Sequence, residues 1–114
     1  MTDDATGDVL VSTTFELPGY AVDRTVGVAW GLIVRSVGVA KGLTGGLRSL
    51  RSGEVDEYTA LVDSARRTAL DRLIQHARAL GGNAVLGVRF DSSDIGKGLS
   101  EIVAYGTAAR TEPM

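Results

Sequence analysis

The chain has 114 residues, 44% of them hydrophobic and 23% charged, which is the size and composition of one ordinary globular domain. Its net charge of −2 argues against a general affinity for nucleic acid. The absence of cysteine excludes a disulfide framework, thiolate metal ligation and a cysteine nucleophile, and it suits a reducing cytoplasm.

Residues 1–8 are polar and acidic and read as a tail. The Met-Thr-Asp-Asp start offers neither the basic region nor the apolar run of a signal peptide. Val9 to Phe15 is rich in β-branched and aromatic residues and is predicted to form a strand. Pro18-Gly19 should end it in a turn, because proline presets φ and glycine accepts φ > 0. Tyr20 to Val34 is a second predicted strand. It is nearly all apolar from Val26 onward, as expected of a strand covered on both faces. The run Val26–Val34 is about half a membrane span in length, so a soluble, cytoplasmic protein without a membrane partner is expected. Gly27 and Gly31 are four apart, share a face, and could admit another backbone there.

Arg35 to Gly53 is interrupted by five glycines and reads as a loop with a short helical turn near Leu43 to Leu50. The clearest element is a helix from Glu54 to Leu80. Tyr58, Val62, Ala65, Ala69, Leu73, Ala77 and Leu80 form its apolar stripe, widened by Leu61, Leu70 and Ile74. Ser52 is placed to cap it, and Gly81 is the expected left-handed stop. Asn83 to Phe90 is the next predicted strand, Asp91 to Gly98 a long turn, Leu99 to Arg110 the last strand, and residues 111–114 a tail. The order β-β-α-β-β gives an α+β class: one domain over residues 9–110 with a mainly antiparallel sheet packed on one long helix. One helix covers only one face of such a sheet. The apolar strand Val26–Val34 therefore calls for a further cover, and another copy of the chain is the expected one.

The charge pattern is asymmetric. Residues 1–23 hold five acids and no base, whereas residues 24–51 hold five bases (Arg24, Arg35, Lys41, Arg48, Arg51) and no acid. Arg35, Lys41, Arg48 and Arg51 could form an anion-facing surface, although two solvated faces that complement each other within or between subunits are the plainer reading. The single histidine, His76, has no metal-ligating residue three or four positions away; it reads first as a helix-border imidazole and stands as a metal candidate only beside Asp91, Asp94 and Glu101. Asp91, Asp94 and Glu101 could gather oxygen ligands for a hard cation, yet their spacing is not that of a calcium loop, and Asp and Ser also suit a plain turn. The glycines around Lys41 do not make a phosphate loop, because Lys precedes Gly and Thr44 is displaced. Nothing in the chain forms a catalytic constellation, so a non-enzymatic role is expected.

Several segments carry a family resemblance. They are Glu16-Leu17-Pro18-Gly19-Tyr20, Leu47-Arg48-Ser49-Leu50, Ala69-Leu70-Asp71-Arg72-Leu73, the stretch from Ala79 through Gly81-Gly82-Asn83-Ala84-Val85 to Phe90, and Glu101-Ile102-Val103-Ala104-Tyr105-Gly106-Thr107-Ala108. Together, in this order over residues 9–110, they resemble the YbjQ-type family of small bacterial proteins, often labelled "putative heavy-metal-binding". The resemblance implies a two-layer, YbjQ-like and dodecin-subunit-like fold, assembled as a ring-shaped homopentamer through extra strand pairing. It supplies no catalytic residues. The sequence departs from the family at Arg51-Ser52-Gly53-Glu54, where one glycine is replaced. The metal label is poorly matched by the donors, since soft metals favour thiolate, thioether and imidazole, and this chain offers one histidine and two terminal methionines. Three functions follow as expectations. The first is an oligomeric binding or scaffold module; the others are a metal-binding protein and an anion-binding pore or enzyme using residues 24–51.

Overall fold

The computed structural model describes residues 8–36 and 56–114. Among these residues five elements occur in chain order: β1 (Leu10–Val11), β2 (Tyr20–Ser36), α1 (Asp56–Ala79), β3 (Ala84–Gly96) and β4 (Leu99–Pro113). The strands form one sheet in the order β1-β3-β4-β2. β4 is antiparallel to both β2 and β3, and β1 alone is parallel to β3. Among the described residues the α+β class, the β-β-α-β-β order and the helix layered on the sheet are as the sequence implied. The helical turn near Leu43–Leu50, the Ser52 cap and the start of the helix at Glu54 lie outside the described residues.

The turn before β2 is built as predicted. Gly19 has φ 87° and the Tyr20 N–H donates to the Leu17 carbonyl at 2.9 Å, which is a tight turn with proline second and glycine third. The first strand is shorter than expected. Only Leu10–Val11 keep regular ladder register with β3. Beyond them the chain stays bonded to β3 irregularly, with the Ser12 N–H donating to the Val85 carbonyl and the Ser12 and Thr14 carbonyls accepting the Val88 and Gly87 N–H groups, while the Ser12 and Thr14 hydroxyls add local bonds.

The helix ends at the predicted glycine. Gly81 has φ 94°, its N–H donates to Arg78 at 3.0 Å, and the Gly82 N–H reaches back to Ala77 at 2.9 Å. This is the paired closure of a Schellman motif, and it satisfies carbonyls the helix would otherwise leave orphaned. Asn83, directly after it, is buried and ties the fold together. Its side-chain amide donates to the Thr111 carbonyl, and its Oδ1 accepts the Thr111 N–H at 2.8 Å. β4 accordingly runs through Thr111 to Pro113, within the stretch read as a tail.

The expected long turn Asp91–Gly98 is corrected. β3 continues through Asp91–Gly96, and the chain reverses over Lys97-Gly98 alone, with Gly96 paired to Leu99. Both turn residues have positive φ, 58° and 75°, the geometry whose twist matches that of a right-twisted hairpin. The run of Asp and Ser suggests a loop by composition, but strand pairing on β4 overrides so weak a propensity.

The core lies between α1 and the sheet. Ala65, Ala69, Leu73 and Ala77 are the buried stripe of the helix, set against Ala29 of β2 and Ile102, Ala104 and Ala108 of β4. Alanine at three of the four positions lets the helix sit low on the sheet. At Gly31 it sits so low that a Cβ would overlap the Ala69 carbonyl and the Leu73 nitrogen. The close backbone approach expected at the glycine pair is therefore real at Gly31. At Gly27, which has φ 142°, the neighbour is instead the Leu80 side chain at 3.5 Å.

Candidate interaction surface

β2 reads as apolar on both faces, and the two faces have different fates. Ala29, Gly31 and Ile33 point at the helix. Val28, Trp30, Leu32 and Val34 alternate with them and lie on the other side of the sheet, with Val28 63%, Trp30 50% and Val34 48% exposed. The register continues this face onto β4, since Trp30 pairs with Tyr105 and Leu32 with Val103. On β3 it becomes polar, with Arg89 opposite Tyr105, Asp91 opposite Val103 and Ser93 opposite Glu101. Among the described residues nothing covers the apolar half. Lone exposed apolar residues are ordinary, but a contiguous row of this kind, rimmed by charge, is the signature of a contact surface.

The outer edge of β2 is treated differently. α1 runs antiparallel to β2, so that Ser64 faces Arg35, Arg72 faces Leu32, His76 faces Trp30 and Leu80 faces Gly27. One helical step of four residues advances about 6 Å. Two strand residues advance about 6.7 Å. The near match keeps successive border side chains over successive outward-pointing peptide groups. His76 Nδ1 lies 3.0 Å from the Trp30 nitrogen and 3.2 Å from its carbonyl oxygen, and the Arg72 guanidinium donates to the Leu32 carbonyl at 2.8 Å. The imidazole also meets the indole edge-on, with ring centroids 4.5 Å apart and planes at 77°. His76, read from sequence first as a helix-border imidazole, thus binds the backbone and ring of Trp30, and Arg72 is the partner sequence reasoning missed. The signal available was an i, i+4 pair of long polar donors on the border of the apolar stripe. The strand it would meet, 40 or more residues earlier, could not be read from it.

The carboxylates proposed as cation ligands do not converge. Asp91 Oδ1 accepts the Ser92 N–H and Asp94 Oδ1 accepts the Gly96 N–H, both at 2.9 Å, so each serves the local backbone. Asp91 and Glu101 share the helix-free face of the sheet, Asp94 sits beside the hairpin bulge, and His76 is on α1. Among the described residues no three His, Cys, Asp or Glu side chains group as a metal site would need. Of the four basic residues considered for anions, Arg35 approaches the Ser64 hydroxyl at 3.5 Å, while Lys41, Arg48 and Arg51 lie outside the described residues. The charge asymmetry is locally neutralised at its boundary, where Arg24 pairs with Asp23 at 2.9 Å in solvent. On the helix, the hydrogen bond to Asp63, and then its charge, raises the exposed Arg67 guanidinium further above its ordinary range. Stability from a raised cationic group is fully present below its unfolded pKa and lost only above it. For an arginine, that window lies at strongly alkaline pH.

A family model carrying the description "Putative heavy-metal-binding", of the YbjQ type, matches residues 9–112. Similar proteins include a UPF0145 protein of Methanoregula boonei, 51% identical over 106 residues, which span 93% of this chain and 88% of the relative. Another, from Picrophilus torridus, is 50% identical over 94% of this chain and 91% of its own length. A third, from Bradyrhizobium, is 48% identical over 92% of this chain and 95% of its own. The relatives include archaeal as well as bacterial proteins, which widens the bacterial scope expected from the resemblance. Among solved structures, a protein with unknown function of the DUF74 family from Pediococcus pentosaceus matches with a TM-score of 0.62 at 16% identity. The match covers 91% of this chain and 98% of that one, a likeness of fold.

Proposed function

This chain belongs to the YbjQ-type family, and from that premise we propose that it is a non-enzymatic, homo-oligomeric binding or scaffold module assembled through the helix-free face of its sheet. The observation that carries the reading is the row Val28, Trp30, Leu32 and Val34, continued by Tyr105 and exposed across from the helix. Placing such a row against another copy removes apolar surface from water at about 25 cal/mol per Å², and a closed ring of copies, a pentamer in the resemblance, covers it in every subunit. The polar flank of Arg89, Asp91 and Glu101 would form the rim of the contact. Arg89 is already held there, donating to the Thr13 carbonyl at 3.1 Å and stacking over Phe15.

The heavy-metal description is not matched by the donors. A soft metal asks for thiolate or several imidazoles; the chain has no cysteine, and its one histidine spends Nδ1 on the Trp30 peptide. The native mass decides the assembly reading. Light scattering should give a multiple of the 11.9 kDa chain mass, and Trp30→Glu with Val34→Glu should reduce it to the monomer while keeping the helical circular dichroism. A monomeric wild-type protein would sink the proposal.

A further inference from the structure

We propose that His76 and Arg72 form a clip that closes the β2 edge of the sheet, so that a second copy of the chain cannot add its own β2 there. Among the described residues β2 is the outermost strand on its side and, at 17 residues, the longest; it contains no proline. A long apolar edge of this kind is a template for strand addition, and proteins blunt such edges with charge, proline or a covering element. Here the cover consists of two side chains from one helical turn. Trp30 and Leu32 turn their peptide groups away from β4, and the imidazole and the guanidinium occupy them.

The chemistry suits a permanent closure. The two His76 contacts share one nitrogen, so only one is made at a time. An unprotonated Nδ1 accepts the Trp30 N–H, and a protonated Nδ1 donates to the Trp30 carbonyl. Either form engages the outward-facing backbone of the same residue, Trp30. Arg72 supplies a second donor, and its bond to Leu32 extends the closure one residue pair along the edge. The indole, held edge-on by the imidazole, adds bulk at the same place. The clip concerns the edge of β2 and not its apolar face, so it stands whether or not the face assembles. Its test is read relative to the wild-type mass.

The test uses the full chain carrying His76→Ala with Arg72→Ala, measured by light scattering alongside wild type and a Gln75→Ala control. The double variant should show at least twice the wild-type mass, as two β2 edges pair, and the control should not. Alternation along the strand puts the Val34 N–H on the same outer edge as those of Trp30 and Leu32, so Val34→Pro removes an edge donor without touching the β2–β4 ladder. Because Val34 also lies in the apolar row, the reference is Val34→Pro alone: added to the double variant, Val34→Pro should return the mass of that single variant. Mass growth that persists with Val34→Pro identifies aggregation of a damaged fold and overturns the proposal, as does a double variant that keeps the wild-type mass. Hydrogen exchange gives an independent reading. The Trp30 amide should exchange at least about tenfold faster in His76→Leu than in His76→Asn, which can still accept and donate; equal rates would also overturn it.

Discussion

At Gly31 any side chain would enter the backbone of α1 between Ala69 and Leu73. Neither partner can withdraw, because both are main-chain atoms of a buried helix stripe. Gly31→Ala should therefore destabilise by about 3 kcal/mol, the upper end of overpacking costs, as read from chemical denaturation. Gly27→Ala fails for another reason, its φ of 142°, and not for want of space. Asn83 is a second single-residue dependence. Its truncation to alanine leaves the buried Thr111 peptide without either partner. A loss of about 2–3 kcal/mol is expected, measured in the same way, with Asn83→Asp recovering only part of it, since Asp cannot donate to the Thr111 carbonyl. The glycine at 31 was legible in sequence as a site of close approach. The Asn83–Thr111 pairing was not, because 28 residues separate the partners.

At the scale of elements, the helix was the most legible part of the chain. A 3.6-residue repeat, acidic residues near its start and Gly81 at its end are all local signals, and Asp56–Ala79 follows them closely. The hairpin was less legible. Asp91-Ser92-Ser93-Asp94 has the composition of a loop, and only the ladder to β4 makes it strand. The reversal then falls to Lys97-Gly98, where a lysine holds φ 58°. A left-handed lysine is strained by its Cβ, so Lys97→Gly should stabilise the hairpin by about 0.5–1 kcal/mol, visible as a higher denaturant midpoint at unchanged slope. The short β1 has its reason in β3: Gly87, with φ 63°, breaks the regular register there, so Ser12 and Thr14 still bond to β3 but no longer as a ladder.

For the whole molecule, one helix on a four-stranded sheet leaves one face without cover among the described residues, and the apolar residues of that face cluster on β2 and β4. If copies of the chain cover it, folding and assembly are linked by mass action, and the unfolding midpoint should rise with protein concentration. Trp30→Glu should abolish that dependence; a concentration-independent wild type would remove the linkage. No helix among the described residues is long and apolar enough to cross a membrane.

The sequence by itself determined the α+β class, the helix and its glycine stop, the Pro18-Gly19 turn and the family, because each rests on residue types and short-range periodicity. Only the tertiary structure decided which face of β2 meets the helix, that the Asp91–Gly96 segment is strand, and that His76 and Arg72 close an edge. Those outcomes depend on contacts between residues 40 or more apart or on pairing register. A change of one residue in register moves every side chain of a strand to the other face, and no local pattern in a strand apolar on both sides distinguishes the two arrangements.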